Sequence, residues 1–346
     1  MNAGQRQVID AHVHLAEDRL ADAVRIMDRN GIEAAVDATP IMFAAIQSRL
    51  AAFGRYPARF HACYGVDPAG FGTAAWTKRE CDHLAKAAEM GVVGVKFNKR
   101  WGLSITDGQG RLIPIDHDAL DPIYDRIGRL GLAVIFHVGD PKAFFRKLDA
   151  KNERYQELKY NPDWSFADRR KYPYDWWRLV RQIEKVVRRH TKTRFIGAHF
   201  GCAAEEIGYV ADVMRDNPNY HVDLAARIGE LGRHEPEQVR DVFLEFQDRI
   251  LFGTDLGVRK DIMLGSPQDF DPSDRDIDAF YEAHWRYFET EERGIPHPTP
   301  IQGNWTVDAI GLGPEVLAKI YRDNAKRLLT EAAPRSRPSP SAAGGR

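Results

Sequence analysis

Short apolar, β-branched segments alternate with longer amphipathic segments along most of the chain, and this alternation limits the folds that the sequence can adopt. The longer segments place apolar residues at helical spacing, most clearly at 17–29, 78–90 and 175–190. The short segments have the composition of buried strands, and eight of them occur: 8–14, 33–38, 59–66, 92–97, 132–138, 193–199, 220–224 and 249–255. Eight strands that alternate with helices predict an α/β protein built as a (β/α)₈ TIM barrel, with an open doubly wound sheet as the alternative.

We expect the barrel to span residues 1–331 as a single domain. Three regions within it interrupt the alternation and are expected to be long loops. Residues 140–174 form a long polar and aromatic insertion after the fifth strand, residues 257–275 follow the eighth strand, and residues 294–313 precede the last helix. The first two lie where strands end, on the active-site face of a barrel, so we expect 140–174 to be lid-like. The tail, 332–346, is rich in Pro, Ser, Gly and Ala and is expected to be disordered.

Composition excludes several classes of protein. Lys plus Arg number 49 and Asp plus Glu number 50, and a net charge of −1 argues against nucleic-acid binding, which needs a basic surface. No run approaches the ~18 consecutive apolar residues of a membrane span, and the polar first seven residues lack a signal-peptide core. Three cysteines without a CxxC pair argue against a disulfide framework. We therefore expect a cytoplasmic enzyme with a small-molecule substrate, although a protein that had already lost a leader would look the same.

Polar residues that can bind a metal recur at the ends of the predicted strands. His12 and His14 are two apart in the first strand, so they face the same side and can chelate one divalent ion. His137, His199 and Asp255 end the fifth, sixth and eighth strands, where a barrel presents its catalytic groups. Imidazoles with a carboxylate are a suitable ligand set for Zn²⁺ or Mn²⁺, whereas buried structural histidines are the alternative explanation.

Several motifs occur in the order of a known family between residues 8 and 329. They are D-A-H-V-H at 10–14, G-V-K-F at 94–97, F-I-G-A-H-F-G at 195–201, Y-H-V-D-L-A at 220–225 and I-L-F-G-T-D at 250–255. On these motifs the chain resembles the amidohydrolase superfamily. Within it, the chain is most similar to the amidohydrolase-related group that includes aminocarboxymuconate semialdehyde decarboxylase.

The resemblance implies one divalent ion, Zn²⁺ before Mn²⁺, on His12, His14, His137 and Asp255. It also implies that His199 stands beside the ion as a hydrogen-bonding or proton-shuttling group; a ligand to a second metal is the alternative for this residue. In some members of the superfamily a carboxylated lysine on the fourth strand bridges two metals. In the group that this chain most resembles it does not, so Lys96 is expected to contact either a substrate anion or other protein groups.

Three further side chains have predicted partners. Arg100 and Arg227 are candidates to bind a substrate carboxylate, because a guanidinium binds planar anions with two parallel hydrogen bonds. Asp223 ends the seventh strand, and an internal salt bridge with Arg227 is its expected role. Tyr281, Trp285, Tyr287 and Phe288 fall in a segment, 276–313, for which an aromatic surface of a homodimer is one explanation; a solvated helix face or internal packing explains these residues equally well.

Three functions are compatible with these residues. The first is a hydrolase in which a divalent ion activates water to cleave an ester, lactone or amide of a small carboxylated or aromatic compound. In that reaction Asp255 acts as general base and His199 polarises the carbonyl. The second is a non-oxidative decarboxylase or other C–C lyase, in which Asp255 or His199 protonates the substrate carbon. The third is a catalytically silent binding barrel, which ranks last because no ligand is missing from the sequence.

Overall fold

The first seven strands form a parallel sheet in the order of the chain. A computed structural model describes residues 6–331, so the tail expected to be disordered lies outside the described residues. Each strand is hydrogen-bonded to the one before it, as the βα alternation predicts. The strands are β1 (Val8–Leu15), β2 (Ile32–Ile41), β3 (Phe60–Tyr64), β4 (Gly94–Phe97), β5 (Ala133–Phe136), β6 (Arg194–Gly197) and β7 (Tyr220–Asp223).

The eighth strand is split, and its two halves close the barrel. β8 (Ile250–Leu251) pairs with β7, whereas β9 (Leu256–Val258) pairs with β1. Between the halves, the amide of Ala11 donates to the carbonyl of Phe252 and the amide of Asp255 donates to the carbonyl of His12, both at 2.9 Å. The predicted (β/α)₈ barrel is therefore confirmed, but a continuous strand over 249–255 is wrong. The chain turns at Asp255, whose φ of 63° no extended strand allows.

Helices follow most strands and cover the outside of the barrel. None of those within residues 6–331 has both the length and the apolar character needed to cross a membrane. The helices and helical turns are α1 (Leu20–Asn30), α2 (Phe43–Phe53), α3 (Ala74–Met90), α4 (Arg100–Leu103), α5 (Asp121–Arg129), α6 (Tyr155–Tyr160), α7 (Trp176–Arg189), α8 (Ala198–Gly201), α9 (Ile207–Asp216), α10 (Ile228–Leu231), α11 (Pro236–Glu245), α12 (Asp274–Glu289) and α13 (Pro314–Ala318), which continues into π-helical turns at Lys319–Asp323 and Lys326–Thr330.

The three irregular regions contain more structure than the sequence indicates. The loop after β9 folds back as β10 (Ile262–Leu264), antiparallel to β9. The region before the last helix contains an antiparallel pair, β11 (Ile295–Pro296) and β12 (Thr306–Val307). The insertion after β5 contains α6 and short 3₁₀ turns. Pairs this short depend on the packing of distant segments rather than on local periodicity, which explains why the sequence does not reveal them.

The barrel interior is apolar and is closed at the end opposite the predicted site. Inward-facing residues such as Ile9, Val36 and Ile196 form one buried cluster with Leu328 and Leu329 of the last helical turns. These leucines cover the end at which the strands begin. Only the opposite end, where the strands finish, is left for a polar site.

The aromatic residues of α12 are core residues rather than a surface. Tyr281, Trp285, Tyr287 and Phe288 are all at least 96% buried. Trp285 stacks on Phe252, the first residue after β8, with ring centroids 5.1 Å apart. Of the explanations that the sequence leaves open for these four residues, internal packing is therefore confirmed, because α12 packs its aromatic face against the barrel.

Candidate active site

Three of the predicted residues meet where β1 faces the break in the eighth strand. One ligand atom each from His12, His14 and Asp255 lie within 4.8 Å of one another. Asp255 Oδ1 is 3.2 Å from Nε2 of His14 and 3.8 Å from Nε2 of His12. The period of two along β1 brings the imidazoles together, and the left-handed turn at Asp255 directs its carboxylate toward them.

Hydrogen bonds fix the orientation of both imidazoles. Nδ1 of His12 lies 2.8 Å from Oδ2 of Asp223, and because a carboxylate only accepts, Nδ1 carries the proton. Nε2 of His12 is then left with its lone pair, which is the form that binds metals. Nδ1 of His14 lies 2.9 Å from the hydroxyl of Thr39, which holds the second ring.

The carboxylate of Asp255 completes a set of atoms that suits a cation. Its Oδ1 is buried without a well-aligned hydrogen bond, despite its closeness to His14. Burial alone would raise its pKa, but the contact with His14 and the charges of His12 and His14 outweigh burial and lower the pKa to about 2. Positive charge beside this buried oxygen stabilises it, and a divalent ion held by neutral imidazoles would supply such a charge, so the residues present fit one.

Lys96 lies against the same cluster. Its Nζ is 3.2 Å from Nε2 of His12, and the side chain is only 2% exposed. Its pKa is lowered, because the effect of burial exceeds that of the charges of Asp223 and Asp255, which raise it. Lys96 therefore makes a protein contact, one of its two expected roles, and it also lines the cavity described below.

His137 and His199 form a second group beside the first. Nδ1 of His199 donates to the carbonyl of Ala225 at 2.8 Å, so its Nε2 is an acceptor and lies 3.2 Å from Nδ1 of His137. On its other side, Nε2 of His137 faces Oδ1 of Asp140 at 3.4 Å. Burial lowers the pKa of His137 to about 4 and holds that of His199 well below its usual range. Both rings are thus neutral at pH 7, but the structure does not bring His137 into the cluster of His12, His14 and Asp255.

Asp223 has a different partner from the one that the sequence suggests. Its Oδ1 accepts from the amides of His199 and Ala225, and its Oδ2 accepts from His12. Nη1 of Arg227 instead donates to the backbone carbonyl of Ala226. The expected Asp223–Arg227 salt bridge is therefore wrong, because the carboxylate turns inward from the end of β7 toward β1 and β6.

A cavity of about 420 Å³ opens from these groups, a size typical of small-molecule sites. The insertion after β5 contributes an apolar wall that includes Phe144 and Trp164. A larger, more open groove of about 710 Å³ lies beside residues 103–112 and 170–174, and the predicted site residues do not line it. Those that line the smaller cavity are His14, Lys96, Arg100, His137, His199, Arg227 and Asp255.

The backbone is strained where several of these groups are presented. His199, Ala226 and Asp255 have φ values of 57°, 52° and 63°, in the left-handed region that residues with a Cβ seldom occupy. Such strain is often found at functional sites, where the surrounding structure maintains it.

Asp140, Lys99 and Glu157 are among the contributors to the site that went unrecognised in the sequence. Asp140 contacts His137 and pairs with Lys99 at 2.6 Å, and that ammonium lies 4.0 Å from the ring centre of Trp164. Glu157 reaches the cavity wall from the insertion. The position of Asp140, three residues after a strand-end histidine, is a signal that could have been noticed. Glu157 offers none, because the insertion has no periodic pattern.

Comparison with solved structures supports the fold. A dihydroxybenzoic acid decarboxylase from Polaromonas sp. JS666, with bound manganese and the inhibitor 2-nitroresorcinol, aligns with a TM-score of 0.54 and 15% identity over 95% of this chain and 97% of that one. A 2,6-dihydroxybenzoate decarboxylase from Rhizobium aligns with a TM-score of 0.52 and 18% identity over 93% of this chain and 98% of that one. A 4-oxalomesaconate hydratase from Rhodopseudomonas palustris aligns with a TM-score of 0.53 and 14% identity over 93% of this chain and 95% of that one.

Comparison at the level of sequence supports the family. A search of curated proteins finds no match. The family model described as amidohydrolase matches residues 9–330, which include every predicted site residue. The resemblance drawn from the motifs is therefore confirmed, and the chain belongs to the amidohydrolase family of TIM-barrel enzymes.

Proposed function

We propose that this enzyme is a metal-dependent, non-oxidative decarboxylase of a small aromatic carboxylic acid. The observation that carries the proposal is one cavity, which joins the cluster of His12, His14 and Asp255 to a buried guanidinium, Arg227, and to an aromatic wall. Decarboxylases of dihydroxybenzoates among the structural neighbours support the same chemistry.

In this proposal His12, His14 and Asp255 would hold one divalent ion, and His137 would be the fourth ligand, as the family resemblance implies. The manganese bound in the Polaromonas enzyme supports Mn²⁺, and the ligand types suit Zn²⁺ equally. A bound divalent ion supplies Lewis-acid attraction for anionic oxygens of the substrate.

The side chains around the cavity bind and orient the substrate. Arg227 is 95% buried and lines the cavity, so its guanidinium binds a carboxylate with little competition from water. Arg100 is exposed at the cavity mouth and attracts the anion as it enters. Phe144 and Trp164 pack on the ring, and the insertion that carries them excludes water as a lid.

Asp255 moves the proton. Its lowered pKa leaves it as a carboxylate in the free enzyme, so it accepts a proton from a substrate hydroxyl as the acid binds. It then delivers that proton to the ring carbon, whose bond to the carboxylate breaks and releases CO₂. His199, whose proton is on Nδ1, offers its Nε2 as a hydrogen-bond acceptor beside this site.

Hydrolysis is the second candidate, because a carboxylate of low pKa also suits a general base that takes a proton from water. The geometry of His199 supports hydrolysis less well than decarboxylation. A histidine that polarises a carbonyl must donate a hydrogen bond, and the proton of His199 is on Nδ1, bound to Ala225.

Isotope incorporation separates the two reactions. We expect the Mn²⁺- or Zn²⁺-loaded enzyme to release CO₂ from hydroxybenzoic acids in D₂O and to leave deuterium on the ring carbon. A parallel screen of esters, lactones and amides in H₂¹⁸O should give no labelled acid. Labelled acid without CO₂ release would instead establish hydrolysis, and the Asp255→Asn variant is the control for both assays.

A further inference from the structure

The cavity has a second polar wall that the proposed reaction does not use. Glu157, Ser266 and Gln302 line it, and they are 2%, 3% and 1% exposed. Glu157 belongs to α6 of the insertion, Ser266 follows β10, and Gln302 lies in the loop between β11 and β12. Burial of three polar side chains from separate segments is costly unless they are hydrogen-bonded, so their bonding partners are informative.

The carboxylate of Glu157 has spare capacity to accept hydrogen bonds. Its Oε1 accepts from the hydroxyl of Ser266 at 2.5 Å, and its Oε2 accepts from Nη1 of Arg154 at 2.8 Å. A carboxylate offers roughly four acceptor directions, so about two remain for another donor.

Two buried carboxylates lie at this wall. Arg154, which is 1% exposed, forms a second ion pair with the buried Glu230, so two carboxylates share one guanidinium. Gln302 adds a further acceptor, because its amide nitrogen donates to the carbonyl of Ala226 while its buried Oε1 accepts no hydrogen bond within the described residues. The wall therefore presents acceptors that need a donor.

We infer that Glu157, with Gln302, forms a subsite for a hydroxyl or amino group on the substrate. The inference rests on the proposed function to the extent that the substrate's carboxylate lies at the metal and Arg227 end of the cavity. The substrate class is then an aromatic acid with a hydrogen-bond donor on the ring, in addition to its carboxylate. An ether at that position turns only lone pairs toward the carboxylate, and sites built to bind a donor discriminate strongly against ligands that lack it.

Ligand binding tests the subsite separately from catalysis. The affinities of 3- and 4-substituted hydroxy-, amino- and methoxybenzoates are measured by calorimetry on the metal-loaded full chain. We expect the best hydroxy or amino acid to bind at least about tenfold more tightly than its methoxy counterpart, as for one hydrogen bond to a charged group. Equal affinities, or no binding by any acid, would overturn the inference.

Two substitutions have opposite expected effects. Glu157→Gln should abolish the preference for a donor, since its amide can donate to the ether oxygen. Ser266→Ala should keep or increase the preference, because it frees Oε1 of Glu157 and leaves the pair with Arg154 intact. Loss of the preference in Ser266→Ala would contradict the assignment to Glu157, and this variant decides the matter if Glu157→Gln does not fold.

Glu153→Gln is the matched control, because Glu153 lies on the same insertion but pairs with Arg233 at the surface. It should bind every acid as the unmodified protein does. Donor preference without CO₂ release would leave the subsite standing and count against decarboxylation. CO₂ release without donor preference would support decarboxylation and count against the subsite.

Discussion

At the scale of single residues, the site depends on which ring nitrogen of each histidine carries the proton. Asp223 fixes this for His12, and the carbonyl of Ala225 fixes it for His199. The sequence predicts that His12, His14 and Asp255 converge, because strand period and strand ends are local properties. It cannot predict that Asp223 turns toward His12, since that choice depends on contacts between β7 and β1.

Removal of the Asp223 charge should weaken metal binding. In Asp223→Asn, we expect the affinity for Zn²⁺ or Mn²⁺ to fall by about 10- to 100-fold, because the partner that orients His12 becomes neutral. Calorimetric titration of the metal-free protein measures this change. Glu80→Gln is the control, since Glu80 is another fully buried carboxylate, bonded to Tyr64. An equal loss in both variants would mean that stability, not orientation, is affected.

Asp255→Asn should abolish turnover while the fold is kept. Asparagine tolerates the left-handed φ of 63° better than alanine does, so the substitution changes the charge with little added backbone strain. We expect activity to fall by at least about 10²-fold, the usual contribution of a proton-transfer group, together with weaker metal binding. Turnover and metal content by elemental mass spectrometry check the prediction, and retained activity would contradict the role of Asp255.

At the scale of elements, packing decides what a polar residue does. α12 carries His284, which is 2% exposed and donates through Nδ1 to the carbonyl of Phe280. Its ring packs against Phe252, beside the break in the eighth strand. Periodicity cannot distinguish a helix with an aromatic buried face from one with a docking surface, which is why the sequence left both explanations open for 276–313.

His284 should make the stability of the fold depend on pH. Burial lowers its pKa to about 4, so between pH 6.5 and 4 the unfolded chain binds a proton at this residue that the folded protein does not. Its contribution is therefore complete above about pH 6.5 and is lost as the pH falls toward 4, by on the order of 3 kcal/mol. Urea unfolding across this range should show a shallower loss for His284→Gln than for the unmodified chain; parallel curves would refute the prediction.

At the scale of the whole molecule, the candidate metal ligands lie on both sides of the seam that closes the barrel. His12 and His14 belong to the first strand, and Asp255 lies at the break between β8 and β9. The order of the strands was predictable from the alternation of segments along the chain. The insertion was expected on the active-site face, but the split of the eighth strand and the approach of Glu157 to the cavity were not predictable, because they arise from contacts between residues far apart in sequence.

Metal binding should therefore stabilise the entire fold. At a free metal concentration 100 times Kd, the stabilisation is about 2.7 kcal/mol, which corresponds to a rise in Tm of roughly 4 °C for a chain of this length. Thermal unfolding with metal and with a chelator measures the shift. Asp255→Asn should show little of it, and an unchanged shift in that variant would place the ion elsewhere.

The split strand also has a consequence for folding during synthesis on the ribosome. Asp10 accepts hydrogen bonds from the amide and hydroxyl of Thr254, which lies 244 residues further along the chain. During synthesis, the first strand and its two histidines emerge long before the partner that encloses them. Contacts of such long range form slowly, so the nascent chain spends most of its translation with this edge uncovered.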